Sequence, residues 1–475
     1  MGIFPIFTLA IVMEGAMKTN RAIFYYLCIL RRLAVSAILI PLISMELVYA
    51  QTPCPTQPNI DVSSSRIPDD VCIPTGFAAL PIKFFDDYSW KTFIAMVWPA
   101  ANGQRGIPDA VAKVGSGNGP LVFETLKAEW EIFTDNGIPS KNWGAIDTPN
   151  PCAQTGLTSD DFVLGTFSFS KLGNLGEADF GKLVGPLVAQ NRTYVRYSTA
   201  FNKQAFEQII KNELHLIAKQ KNVVFADGAI TIKASWIDMT NMKNPSRYHT
   251  RMAWLFDPLT KTCSKQLVGL TGLHIVQKTR SRPQWIWTSF EQVDNVPPSN
   301  GVPMAFHDGS PTAMPGKNPL GFPPPLPTPL PFNVDRIVPI HPETVRTNDD
   351  YRNALKGTKW QFYQLVVTQW PVPTPPTAPT VDPKQAGTPD HTFPGKGATS
   401  AFANTTLETF DQKTISRGCM ACHDITGQDT DFVWSLATRG ITAPPPPQAP
   451  TNNFKAILDG RSSMQRLRKL FETTQ

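Results

Sequence analysis

Short runs of β-branched and aromatic residues, partly alternating with polar ones, recur through the middle of the chain. Gly, Pro, Asn and Asp separate them, which is typical of strands joined by turns. The runs that predict strands are 223–225, 230–236, 252–256, 273–276, 285–288 and 362–367. Helical spacing is sparser and is best at 203–220, where apolar residues recur every three or four positions. We therefore predict an α+β fold whose β-rich body is built on an antiparallel sheet.

Proline-rich segments divide the second half of the chain. They lie at 297–332, 371–394 and 444–450, and such sequences favour extended connectors. Docking of a partner on a polyproline helix is the alternative. The predicted parts are a leader at 1–50, an α+β body at 52–370, a linker at 371–395 and a small helical segment at 396–475.

The C-terminal segment contains CMACH at 419–423, the C-x-x-C-H spacing at which a c-type haem is attached. The thiols of Cys419 and Cys422 would form thioethers with the two vinyl groups of one porphyrin, and His423 would be the proximal iron ligand. A redox dithiol is one alternative, although it needs a strand before Cys419. A structural zinc site is another, although no second C-x-x-C pair exists. We expect one covalently attached haem c, bound by the 396–475 segment.

The group opposite His423 decides the chemistry, because a methionine or second histidine would saturate the iron and an open position would admit small ligands. Met464 is the nearest downstream candidate, but Met464, Leu467 and Phe471 share one face of a helix-like segment, which ordinary packing explains better. Met314, in a predicted loop, is another candidate. The remaining candidates are the body histidines His215, His249, His274, His307, His341 and His391.

Four residues near the motif are candidates for further contacts with a porphyrin. Arg417 and Arg439 would pair with its propionates, and the alternative for both is a solvated surface charge. Phe432 and Trp434 would cover its edge, with generic core packing as the alternative.

The first fifty residues are typical of an export signal. Arg31 and Arg32 precede a largely apolar run at 33–45, which closes on a small-residue cleavage pattern ending at Ala50. The run is too short to span a bilayer comfortably. We predict a cleaved signal and a periplasmic location, with translation starting at Met1 or Met17. Contact with a membrane is expected only if this segment is an uncleaved anchor.

Cysteine usage agrees with export. Outside the leader and the CMACH segment, the chain keeps Cys54, Cys72, Cys152 and Cys263. An even number in an exported protein predicts two disulfides, with three possible pairings. Joining Cys54 to Cys72 closes a short N-terminal loop and leaves Cys152 to reach Cys263. Four unpaired buried thiols are the alternative.

Three segments together are similar to those of a known family: SWKTFIA at 89–95, the run at 271–297, and NTTLETFDQ leading to CMACH at 404–423. They resemble a group of large exported bacterial monohaem proteins called "cytochrome c family protein". The resemblance covers most of the mature chain and implies haem binding and electron transfer, without naming a substrate. The last segment also resembles the start of class I cytochromes c, but the chain ends sooner after His423 than those domains do.

Charge and motifs narrow the expected partners. The formal net charge of +6 over 475 residues is too mild to predict nucleic-acid binding. The chain has no Gly-rich phosphate loop, no G-x-S-x-G and no H-E-x-x-H. We therefore expect an electron carrier that serves an unidentified redox partner protein, rather than an enzyme that converts a substrate. The alternatives are a peroxidase-like haem oxidoreductase and a small-ligand sensor, both with an open sixth iron position.

Overall fold

One eight-stranded sheet with short helices around it forms the described part of the chain. The computed structural model describes residues 54–76, 81–134, 137–145, 152, 161–164, 187–257, 262–298, 301–310, 333–370, 403–412, 419, 423 and 427–442. All of these belong to one unit, Cys54–Gln475. The predicted leader and linker lie outside them. None of the helices in these ranges has both the length and the hydropathy that a bilayer crossing requires.

The elements follow the chain in an order that mixes helices with strands. The strands are β1 (Lys127–Ala128), β2 (Phe162–Leu164), β3 (Arg196–Phe201), β4 (Ile230–Asp238), β5 (Thr250–Asp257), β6 (Thr262–Thr279), β7 (Arg282–Gln292) and β8 (Tyr363–Gln369). The helices are α1 (Ile82–Met96), α2 (Glu129–Ile132), α3 (Lys203–Lys211), α4 (Pro342–Ala354), α5 (Gly427–Thr430) and α6 (Trp434–Arg439). This mixture confirms the predicted sheet-dominated α+β class.

The long strand β6 organises the sheet. One edge of β6 pairs with β4 over 268–277. The other edge pairs first with β5 over 262–269 and then with β7 over 272–279. β8 lies outside β7, while β3 and β1 extend the sheet beyond β4. These pairings are antiparallel, and β2 is the exception because it runs parallel to β5.

Helices α1 and α4 cover one face of the sheet with aromatic side chains. The indole of Trp90 on α1 stacks on Tyr351 of α4, with ring centroids 5.1 Å apart. Phe93 stacks on Phe290 of β7 at 4.2 Å. Leu273 of β6 is buried in the same cluster. Since successive side chains of a strand alternate between faces, the neighbours of Leu273 and Phe290 point to the opposite face.

Helix α3 ends earlier than its apolar spacing predicts. The N–H of Leu214 donates to the carbonyl of Ile209, and the N–H of Glu213 donates to that of Ile210. Glu213 is left-handed, with φ 54°. This is a Schellman termination in which a glutamate takes the position usually held by glycine. The predicted strand at 223–225 is wrong as well, since those residues form a loop beside the C-terminal segment.

Two disulfides join the predicted pairs of cysteines. Cys54 is bonded to Cys72, and Cys152 is bonded to Cys263 at the start of β6. The alternative of four unpaired thiols is therefore wrong. Disulfides form and persist in oxidising compartments, which agrees with an exported protein.

Candidate functional site

The sheet face opposite α1 carries a row of polar residues. Lys233 of β4 pairs with His274 of β6, and His274 pairs on its other side with Ser289 of β7. In the adjacent row Val276 pairs with Trp287. Residues two apart on a strand share a face, so Lys233, His274 and Trp287 project to the same side of the sheet.

The segment 403–412 lies across this polar face. The amide of Asn404 donates to the carbonyl oxygen of Phe290 at 2.8 Å. Thr406 lies over Gly272 of β6, where the missing side chain leaves room for its hydroxyl. Two of the three segments that carry the family resemblance, 271–297 and 404–423, are therefore in direct contact.

Glu408 brings a carboxylate to the polar row. Its Oε1 lies 3.2 Å from Nε2 of His274, and its Oε2 accepts the N–H of Asn404 at 2.7 Å. Burial alone would raise the pKa of Glu408, but His274, Lys233 and the Asn404 N–H together hold it below its usual value. Three ionisable side chains, from β4, β6 and the C-terminal segment, thus meet on one face.

His423 of the CMACH segment is held by a backbone carbonyl. Its Nδ1 lies 2.7 Å from the carbonyl oxygen of Phe432. A carbonyl only accepts, so Nδ1 carries the hydrogen and the lone pair of the neutral imidazole is on Nε2. Burial, with smaller contributions from Lys233 and His274, lowers the pKa of His423 to about 3 despite the opposing effects of the Phe432 carbonyl and Glu408. The imidazole is therefore neutral near pH 7, the form that binds a metal.

Aromatic side chains surround the His423 ring. The ring of Trp287 on β7 lies 4.2 Å from it, centroid to centroid, and that of Trp434 lies 6.1 Å away, edge to face. Trp287 and Phe432 belong to a buried apolar cluster, and Cys419 packs against that cluster. The first cysteine and the histidine of the motif therefore stand beside the same apolar surface.

The carbonyl that holds His423 belongs to a tight turn. The N–H of Val433 donates to the carbonyl of Thr430 at 3.1 Å and closes the turn. Its two central residues, Asp431 and Phe432, are both left-handed, with φ 51° and 66°. Positive φ at both central positions is the pattern of a type I′ turn, which favours Asn, Asp and Gly over a residue such as phenylalanine.

Two residues of the sheet and one of a neighbouring loop hold this turn. The Asp431 carboxylate forms a buried ion pair with Lys278 of β6 at 2.5 Å. The same carboxylate accepts the N–H of Phe225 at 2.7 Å. The indole of Trp285 on β7 donates to the Asp431 carbonyl at 3.0 Å. Side-chain and main-chain oxygens of Asp431 are thus both fixed by the body of the protein.

These residues fit a covalently attached haem in three respects. His423 is neutral, and its Nδ1 donates to a carbonyl, which is the usual support of an iron-bound imidazole. The surroundings are apolar and aromatic, as a porphyrin requires. Cys419 borders that apolar surface. Cys422 lies outside the described residues.

The predicted porphyrin contacts divide into two groups. Phe432 and Trp434 lie beside His423, and their contact with a porphyrin edge stays a prediction. Arg439 on α6 instead pairs with Glu129 of α2, with 3.0 Å between Nε and Oε2 and only 10% of its side chain exposed. The alternative of a solvated charge is therefore wrong for Arg439. Arg417 is outside the described residues.

Of the candidates for the sixth ligand, the structure brings His274 to the neighbourhood of His423. The ring of Trp287 lies 4.2 Å from that of His423, and Trp287 pairs with Val276, which is two residues from His274 on the same face of β6. Other body histidines have partners elsewhere: Glu124 at 2.6 Å for His249, Asp335 at 3.3 Å for His307, and the Glu343 N–H at the start of α4 for His341. His215 lies in the turns after α3. Met314, His391 and Met464 are outside the described residues.

Comparison with known proteins identifies no relative of this chain. No significant match was found to a family model, to a curated protein or to a solved structure. Within the described ranges, no group of three or more His, Cys, Asp and Glu side chains has the arrangement of a metal site. The site is therefore interpreted from its own residues.

Sequence reasoning missed the residues that support His423 from the sheet. Trp285 and Trp287 fall within the predicted strand at 285–288, and no functional motif includes Lys278 or Asp431. Their roles follow from strand pairing and from a turn far away in sequence, so no local pattern marks them. The left-handed Asp431 is the one position with a local cue, since aspartate is enriched in such turns.

Proposed function

We propose that this chain is a monohaem c-type cytochrome that transfers single electrons. Cys419 and Cys422 attach the haem, and His423 is its proximal ligand. The observation that carries the proposal is the joint occurrence of the C-x-x-C-H spacing and a neutral His423 whose Nδ1 donates to the Phe432 carbonyl. The resemblance of 89–95, 271–297 and 404–423 to the "cytochrome c family protein" group is part of the same proposal.

When bound, haem supplies an iron that is reduced and reoxidised by one electron. The chain's own residues orient and shield it. The Phe432 carbonyl fixes the rotation and tautomer of His423. The indoles of Trp287 and Trp434 flank the imidazole.

The proposed location and redox partner both depend on the inference that the protein is exported. The two disulfides agree with an oxidising compartment, and the signal-like leader suggests the periplasm. An electron carrier needs a donor and an acceptor, so the partner is a redox protein of that compartment. No feature favours nucleic acid, and a membrane is involved only if the leader remains as an anchor.

Attachment of haem is tested on the full chain, expressed in a host that matures c-type cytochromes. The wild type should retain a haem-specific stain on a denaturing gel, because thioether bonds survive denaturation. The double variant Cys419→Ala/Cys422→Ala should lose it. The matched control Cys152→Ala/Cys263→Ala removes two cysteines remote in sequence from the motif and should keep the stain. A wild type without stain refutes the proposal.

A second candidate function is a haem protein with an open iron position, either a peroxidase-like enzyme or a small-ligand sensor. The observation that favours it is the group of Lys233, His274 and Glu408 near His423, since such side chains can move protons or bind a polar ligand. Carbon monoxide separates the two functions. Rapid change of the ferrous spectrum on its addition favours the open site, and an unchanged spectrum favours the carrier.

A further inference from the structure

The ion pair of Lys278 and Asp431 is almost fully enclosed. The two side chains are 2% and 1% exposed, and their charged atoms are 2.5 Å apart. Burial raises the pKa of Asp431 and lowers that of Lys278, so each charge depends on the other. A pair of this kind sits beside the haem motif and has no role in the attachment chemistry itself.

The pair acts on a turn that is unfavourable by itself. Asp431 and Phe432 both have positive φ, a conformation that residues with a β-carbon seldom adopt without support from their surroundings. Lys278 and the Phe225 N–H fix the Asp431 carboxylate, and the Trp285 indole fixes its carbonyl. The next carbonyl along the chain, that of Phe432, is the one that accepts the Nδ1 hydrogen of His423.

We propose that Lys278, Asp431 and Trp285 are positioning residues for His423. They hold the turn at Asp431–Phe432 so that the Phe432 carbonyl points at Nδ1 of the imidazole. This inference rests on the proposed function, because its consequence concerns the iron. A hydrogen bond donated by Nδ1 makes the imidazole a stronger electron donor and favours the oxidised state. Weakening that bond therefore shifts the reduction potential to more positive values.

Charge alone predicts a different result, which makes the inference testable. Loss of the positive charge of Lys278 alone lowers the potential through space, and loss of both charges in the double variant leaves it almost unchanged. Positioning predicts a positive shift for both changes. Trp285→Phe changes no charge; it removes the indole N–H that holds the Asp431 carbonyl, together with one ring of a buried side chain.

The experiment measures the reduction potential of the full haem-loaded protein by spectroscopic titration. The variants are Lys278→Gln, the double variant Lys278→Gln/Asp431→Asn, and Trp285→Phe. We expect a positive shift in all three, smallest for Trp285→Phe. The control is Glu124→Gln, which perturbs another buried carboxylate pair, that of Glu124 with His249 at 2.6 Å, and should keep the wild-type potential.

The outcomes separate this inference from the proposed function. A wild type without covalent haem refutes the proposed function. Haem-loaded variants with the wild-type potential, or a negative shift for Lys278→Gln, overturn the positioning role. A control that shifts as far as the variants also overturns it. If the charged-pair variants do not fold, the milder Trp285→Phe decides by itself.

Discussion

A β-carbon on Gly272 would lie 2.5 Å from the hydroxyl oxygen of Thr406. The same atom would lie 2.7 Å from Oγ of Ser235 and 3.1 Å from Oδ1 of Asn404. These distances are shorter than van der Waals contact, so glycine in the middle of β6 is a condition for the close approach of 404–406. The segment that leads into the haem motif thus rests on the backbone of the sheet.

Gly272→Ala should destabilise the protein by about 1–3 kcal/mol, because the new methyl group overpacks a closed contact. The midpoint of urea unfolding measures the effect. Gly119→Ala is the matched control, since a β-carbon there meets no atom within 4 Å. Equal midpoints for the two variants would show that 404–406 does not lie against Gly272.

Asp86 should make the protein less stable as the pH rises from 4 to 7. Burial raises the pKa of this carboxyl from 3.8 to about 7, although the hydroxyls of Thr344 and Thr368 donate to it. The folded state therefore holds a proton that the unfolded chain releases near pH 4. The contribution of Asp86 to stability is therefore greatest below that pH and declines by up to roughly 4 kcal/mol through pH 7.

Asp86→Asn should abolish this decline, as unfolding free energies measured across the pH range would show. The control Asp69→Asn changes a carboxyl whose side chain is 83% exposed and should keep the wild-type profile. A variant profile parallel to that of the wild type would contradict the assignment to Asp86.

The two disulfides should differ in their contribution to stability. Cys152–Cys263 closes a loop with a sequence separation of 111, against 18 for Cys54–Cys72. In the chain-entropy model the longer loop stabilises by about 1–2 kcal/mol more. Urea unfolding of the two double serine variants, both kept oxidised, measures the difference. A larger loss for Cys54→Ser/Cys72→Ser would contradict the loop-length argument.

Glu129 and Arg439 should behave as a coupled pair that stabilises α6. The Glu129 carboxylate accepts from Nε of Arg439 at 3.0 Å and from the hydroxyl of Ser435 at 2.5 Å, and both charged side chains are nearly buried. Glu129→Gln and Arg439→Gln should each cost about 1–3 kcal/mol, and the double variant less than their sum. Strict additivity in urea unfolding would show that the two side chains do not interact.

The sequence predicted the strands that have a strong pattern and missed those that lack one. β4 to β8 carry alternating or β-branched runs, and each predicted run from 230 onward falls within or largely overlaps a strand. β3 reads RYSTAF, in which polar residues obscure the alternation. The strand predicted at 223–225 is a loop because the Phe225 N–H donates to the carboxylate of Asp431 instead of to a neighbouring strand.

For the candidate site too, the sequence predicted only the residues that form a local pattern. Cys419, Cys422 and His423 follow from spacing within five consecutive positions. The supports of His423 come from β6, β7 and a turn, and they meet only because the pairing of β6 with β7 brings Nζ of Lys278 to 5.5 Å from the centre of the Trp285 ring. The end of α3 was missed for a similar reason. Glutamate, and not glycine, occupies the left-handed position 213, so the sequence carries no signal that the helix ends there.

Strand β6 has a thermodynamic consequence for the whole molecule. It shares one edge with β4 and the other with β5 and β7, so none of these strands can leave without breaking a ladder with β6. Hydrogen bonds at its centre therefore open only when most of the sheet opens. Amide hydrogens of β6 within 268–277, where it is paired on both edges, should exchange with solvent only through global unfolding.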